Sequence, residues 1–124
     1  MFAGQLIACR KPTAHDLVGT WQVDYHTSKL MLTLNQDGTF EQVFQKKGDT
    51  NLVHRTGKWA LTDFEGPSVD LTGALIVRDN DGMIDSELSA YKDGGWMLHV
   101  NQTLGHLSLT VNEDLGLYFE KSRE

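Results

Sequence analysis

The sequence predicts an all-β fold, a single antiparallel up-and-down β-barrel of about eight to nine strands with a short N-terminal helical turn. Three observations predict it. From residue 17 onward, short strand-like runs are separated by turn signals at intervals of about 8–12 residues. Within the runs, apolar and polar residues alternate, as in a sheet with one buried and one wet face. Three blocks, Gly19-Thr20-Trp21, Asp37-Gly38-Thr39-Phe40 and Gly57-Lys58-Trp59, recur at similar spacings and supply the glycines and tryptophans that close and turn a small barrel.

The elements follow in order. Residues around 14–18 read as a single helical turn leading into the first strand. Strands are expected over 20–27, 29–35, 39–46, 52–62, 68–78, 83–92, 95–101, 106–111 and 115–121. Asn35-Gln36-Asp37-Gly38 has the chemistry of a type I turn followed by a left-handed glycine. That turn pairs Asn35 with Thr39, which sets Leu34 opposite Phe40, Leu32 opposite Gln42 and Leu30 opposite Phe44. Gln42 is the one polar residue on this otherwise apolar face. Around 102–105 a second hairpin is expected to pair Asn101 with His106. This places Trp96, Leu98, Val100, Leu107, Leu109 and Val111 inward and Met97, His99, Asn101, His106, Ser108 and Thr110 outward. Val69, Leu71, Gly73, Leu75 and Val77 extend the inward stripe, with Gly73 marking a bend in the wall. Further turns fall at 79–82, 92–95 and 112–114.

A chain of 124 residues is one domain, long enough to bury a core unaided. Residues 1–16 are read as an N-terminal segment and 17–124 as the barrel domain. The net charge of −6 and the scattering of 11 basic residues among 17 acidic ones argue against a nucleic-acid partner. No apolar run reaches the eighteen or so residues of a membrane helix. Cys9 is the only cysteine and precludes an internal disulfide.

Leu17-Val18-Gly19-Thr20-Trp21, Leu32-Thr33-Leu34 with the Asp37-Gly38 turn, and Gly57-Lys58-Trp59-Ala60-Leu61 resemble the small bacterial lipocalin-like domains of the calycin type. The resemblance covers most of residues 17–121. It implies that Trp21 plugs the closed end of the barrel beside a basic residue near the last strand, Lys121 or Arg123. It also implies a barrel that holds one small apolar or amphipathic molecule. Avidin relatives share the Gly-Thr-Trp start, but Gln22-Val23-Asp24-Tyr25 replaces their ligand-contacting pattern, so biotin binding is not expected.

Leu6-Ile7-Ala8-Cys9 resembles the lipobox of bacterial lipoproteins, which implies lipidation at Cys9, a membrane contact through that anchor alone, and a place in the bacterial cell envelope. Eight residues precede Cys9, whereas a signal peptide carries a basic region and an apolar stretch of about 7–15 residues. Either the start lies upstream or the match is coincidental. Arg10-Lys11-Pro12-Thr13 then reads as a polar tether.

No other motif supplies chemistry. Asp79, Asp81, Gly82 and Ile84 imitate part of a calcium loop in which Asp79, Asp81 and Asp85 would be the only candidate ligands, yet alignment on Gly82 puts Val77 and Leu88 at its two end ligand positions, so the segment reads as a turn. His99 and His106 are expected to lie diagonally on the polar face with no third ligand beside them, so no metal or other cofactor is expected. No nucleophile stands next to a base, and no enzyme is expected. Two functions are then open. Phe40, Phe44, Trp59, Leu71, Leu98 and Leu109 either line a cavity for a small hydrophobic ligand or fill the interior. In the second case the protein is an envelope interaction, accessory or inhibitor protein acting on a protein partner through its outer surface and loops.

Overall fold

The computed structural model describes residues 11–63, 65–90 and 93–122. Eight antiparallel strands, each hydrogen-bonded to its neighbour in sequence, form a closed barrel in which β8 returns to β1. They are β1 (Gly19–Asp24), β2 (Ser28–Leu34), β3 (Thr39–Lys46), β4 (Leu52–Thr62), β5 (Ser68–Thr72), β6 (Gly95–Thr103), β7 (His106–Asn112) and β8 (Leu117–Lys121). The barrel closes on two residue pairs, Trp21 with Lys121 and Gln22 with Glu120.

The alternation in the sequence becomes the barrel wall. Leu30, Leu32 and Leu34 of β2 face inward with Phe40 and Phe44 of β3, and Val69, Leu71, Leu98, Leu109 and Phe119 complete a continuous core. Burying each such side chain stabilises the fold by about 1.5–3 kcal/mol. The first hairpin has the expected register, Leu34 opposite Phe40 and Leu30 opposite Phe44. Gly38 takes φ +90°, the left-handed conformation its turn requires. The Thr39 hydroxyl and amide both bond the Asp37 carboxylate and hold it below the usual aspartate range.

The expected register of the second hairpin is corrected. Thr103, not Asn101, lies opposite His106, and Asn101 pairs with Ser108. The loop is only Leu104-Gly105, both with positive φ, 52° and 82°. Such a two-residue turn matches the right-handed twist of the strands and is favoured over a longer loop even with leucine in the left-handed region. The shift is two residues, so every side chain keeps its face.

Two expected strands are also corrected. The strand expected over 68–78 ends at Thr72, because Gly73 takes φ +85° and turns the chain out of the ladder. The strand expected over 83–92 is not formed in its described residues. Asp85 accepts a hydrogen bond from the Leu88 amide and caps a short helix instead, α2 (Ser86–Ser89). An equivalent cap opens α1 (Ala14–Leu17), where Thr13 and Asp16 bond each other's backbone amides.

Candidate functional site

One end of the barrel is closed by the N-terminal turn. Leu17 and Trp21 are fully buried, and the Trp21 indole donates to the Leu17 carbonyl at 2.9 Å. The Lys121 ammonium lies 5.7 Å from the centre of the Trp21 ring and donates to the Asp16 carbonyl at 3.0 Å. Arg123, the other basic residue considered for this place, and Cys9 lie outside the described residues.

The opposite end is closed by the connection between β5 and β6. After Gly73, residues 74–77 run buried across the mouth instead of continuing the wall. Buried backbone groups need partners, and side chains from the wall supply them. Gln42 uses both ends of its amide, donating to the Leu75 carbonyl at 3.0 Å and accepting from the Leu75 amide at 2.7 Å. Tyr25 donates to the Val77 carbonyl at 2.6 Å, and burial pushes its phenol well above the usual range, so it remains a donor. Ser89 of α2 accepts from the Ile76 amide at 2.8 Å, and Ser28 donates to the Gly82 carbonyl at 2.8 Å. Arg55 donates to the carbonyls of Gly73 and Ser89 at 3.0 and 3.2 Å, tying β4 to both ends of the crossing. Among the described residues, no buried side-chain nitrogen or oxygen lacks a partner.

The turn at Gly73 has a second consequence. β4 pairs with β3 from Leu52 to Lys58 but with β5 only from Lys58 to Thr62. Among the described residues, the first half of this eleven-residue strand therefore has no strand on its other side. A groove of about 810 Å³ opens there between His54, Thr56 and Lys58 on one wall and Gly73, Ser89 and Ala90 on the other. The corner of the groove is tight, since a Cβ at Gly57 would collide with the Thr72 carbonyl and the Phe40 ring. Exposed apolar side chains stand on both bordering elements, Leu52 and Val53 on β4 and Leu88 on α2. The β4 wall of the groove is basic, while Asp93 lines its other side. Residues 45–58 carry Lys46, Lys47, Arg55 and Lys58 against Asp49 alone, in a chain whose net charge is −6.

The six residues considered for an interior ligand, Phe40, Phe44, Trp59, Leu71, Leu98 and Leu109, are brought together in the core cluster, none more than 8% exposed. None of them lines the groove or the two smaller surface depressions, one beside Lys29 and Lys46 and one beside Asn101 and Ser108. Trp59 donates its indole N–H to the Asn35 carbonyl at 2.8 Å. The diagonal arrangement expected for His99 and His106 is corrected by the register: they oppose Thr110 and Thr103, four residues apart along β6, which is roughly 13 Å. His106 bonds Glu120 at 2.8 Å. Of the loop aspartates, Asp81 accepts from the Met83 amide, while Asp85 caps α2 and pairs with Arg78 at 2.9 Å. The Leu88 amide, then Arg78, hold the Asp85 carboxyl below the usual range. No group of three or more His, Cys, Asp or Glu side chains arranged to hold a metal occurs among the described residues.

The sequence reading missed Gln42, Tyr25, Arg55 and Ser89 as the residues that fasten the mouth. One signal was available: Gln42 interrupts an apolar stripe, and a polar side chain kept inside a barrel implies a buried partner. Comparison of the chain with protein-family models, curated proteins and solved structures returned no match.

Proposed function

We propose that this chain is a non-catalytic interaction domain whose barrel is a filled scaffold and whose partner surface is the groove between β4 and the β5–β6 crossing. The observation that supports it best is the crossing itself. Residues 74–77 occupy the mouth through which a small molecule would enter, and hydrogen bonds with Gln42, Tyr25 and Ser89 hold them there. The same turn in the chain leaves an open groove with a basic β4 wall and apolar residues at its rim, the kind of exposed feature that marks a contact surface. An accessory or inhibitor role in the bacterial envelope is the biological form this reading takes, and a lipocalin-like, calycin-type ancestry is consistent with a closed eight-stranded barrel.

Native mass spectrometry of protein purified from its own host, paired with titration of a fluorescent fatty acid, tests the reading. The protein is expected to travel without a bound small molecule, and the fatty acid to show no saturable binding. A stoichiometric copurified molecule, or one-to-one binding that shifts the emission of Trp59 and Trp96, overturns it in favour of an interior ligand.

A further inference from the structure

The exposed half of β4 presents more than a wall. In an antiparallel ladder the backbone groups of successive residues point alternately to the two sides. The Trp59 amide donates to the Gly38 carbonyl on the β3 side, so Gly57, Arg55 and Val53 also direct their N–H and C=O groups to β3. Lys58 faces the other way and pairs with Thr72. Thr56, His54 and Leu52 share that direction, and beyond Thr72 no strand among the described residues meets them. Among the described residues, these donors and acceptors have no strand to pair with, and they line the groove.

We propose that this edge accepts an extended, acidic segment of a partner protein as an added strand. The inference rests on the groove being the partner surface and names what enters it. Alternating donors and acceptors on an edge are complementary to another peptide backbone, which satisfies both. The charge of the added strand follows from its neighbours. Its outward side chains would stand beside His54 and Lys58, both exposed, with Glu41 opposite Thr56 between them and Lys46 and Lys47 at the hairpin end of the β3–β4 pair. Glutamate or aspartate at alternate positions meets the basic residues favourably. On the groove side the added strand's side chains would meet the small residues Gly73, Ser89 and Ala90, the Arg55 guanidinium that bonds the first two, and Asp93.

A second copy of the chain fits this edge poorly. Two-fold pairing of β4 with itself would bring the basic edges of two molecules together, and like charges across a ladder are destabilising. A nucleic acid fits poorly too. Phosphates accept hydrogen bonds but leave the edge carbonyls unpaired, and residues 52–58 carry no Phe, Tyr or Trp for bases to stack on.

The test uses the ¹⁵N-labelled chain and four probes: the peptide acetyl-Thr-Glu-Val-Glu-Val-Glu-Thr-amide, its counterpart with lysine for glutamate, the glutamate peptide N-methylated at alternate amides, and a short oligothymidylate. The glutamate peptide is expected to shift and protect the amides of His54 and Thr56. The lysine and N-methylated peptides are expected to bind at least about tenfold more weakly, as loss of one favourable charge contact or hydrogen bond implies. Lys58→Glu, at an exposed position that fastens nothing, is expected to reverse the preference between the glutamate and lysine peptides. Groove binding that N-methylation leaves unchanged overturns strand addition while the partner surface stands. Silence of the groove amides toward every probe overturns both. Oligothymidylate competing at His54 and Thr56 overturns the peptide assignment, and dimerisation through β4 without any probe overturns the argument against self-pairing.

Discussion

The two ends of the barrel are closed by opposite means. At the N-terminal end, an apolar plug does the work: Leu17 and Trp21 are fully buried, and a single indole hydrogen bond orients the ring. At the mouth, a stretch of irregular backbone is buried, and polar side chains must meet its peptide groups one by one. The apolar plug depends on volume, which many residues can supply in part. The polar closure depends on direction and distance, and removing one partner leaves a buried group with nothing to bond. Thus the first end contributes mainly to the stability of the whole barrel, whereas the second decides the path of one segment and, with it, the shape of the outer surface.

Substitutions at the two ends should separate these roles. Trp21→Ala carries the largest expected effect, a loss of about 3–5 kcal/mol measured by urea denaturation, with amide exchange accelerated throughout the barrel. Gln42→Leu keeps the size of the side chain but strands both Leu75 groups, and a cost of about 2–3 kcal/mol is expected. Its signature is local: the amides of Leu75 and Ile76 should exchange faster while those around Trp21 keep their protection. Uniform acceleration in Gln42→Leu would erase the distinction between the two ends. Tyr25→Phe removes one donor and keeps the ring, so a smaller loss of about 1–2 kcal/mol, again confined to the crossing, is expected.

The smallest effect is a pH dependence of α2, the element that carries Ser89. Hydrogen bonds from the Leu88 amide and Arg78 lower the folded-state pKa of Asp85 below the ordinary 3.8. A lowered pKa means that its contribution is fully present above the ordinary aspartate value and fades as the pH falls through the folded value. The Leu88 amide resonance should therefore move between neutral and strongly acid pH, and Asp85→Asn should abolish that movement. A Leu88 shift of the same size in the variant would assign the change to another group.

Legibility in the sequence follows the same division. Strand pattern, turn chemistry and the two Gly-x-Trp blocks are repeated, local signals, and they place β1 to β4 and the inward faces of β5 to β8 correctly. The β6–β7 register was misread because Leu104 in a left-handed conformation has no compositional cue. Residues 74–77, Ala-Leu-Ile-Val, read as a strand because a buried crossing and a buried strand are both continuous apolar runs. What distinguishes them is a set of long-range contacts, Leu75 to Gln42 across 33 residues and Val77 to Tyr25 across 52, which no local pattern encodes. The groove was invisible for the same reason, since it exists only because that run leaves β4.

The turn at Gly73, which closes the mouth and strips one edge of β4, is tested most directly by residue-resolved amide exchange across β4. The account predicts alternation: slow exchange at Val53, Arg55 and Gly57, whose backbone groups face β3, and fast exchange at His54 and Thr56, whose groups face the groove. Protection of His54 and Thr56 equal to that of their neighbours would show that a strand already covers this edge and would contradict the account.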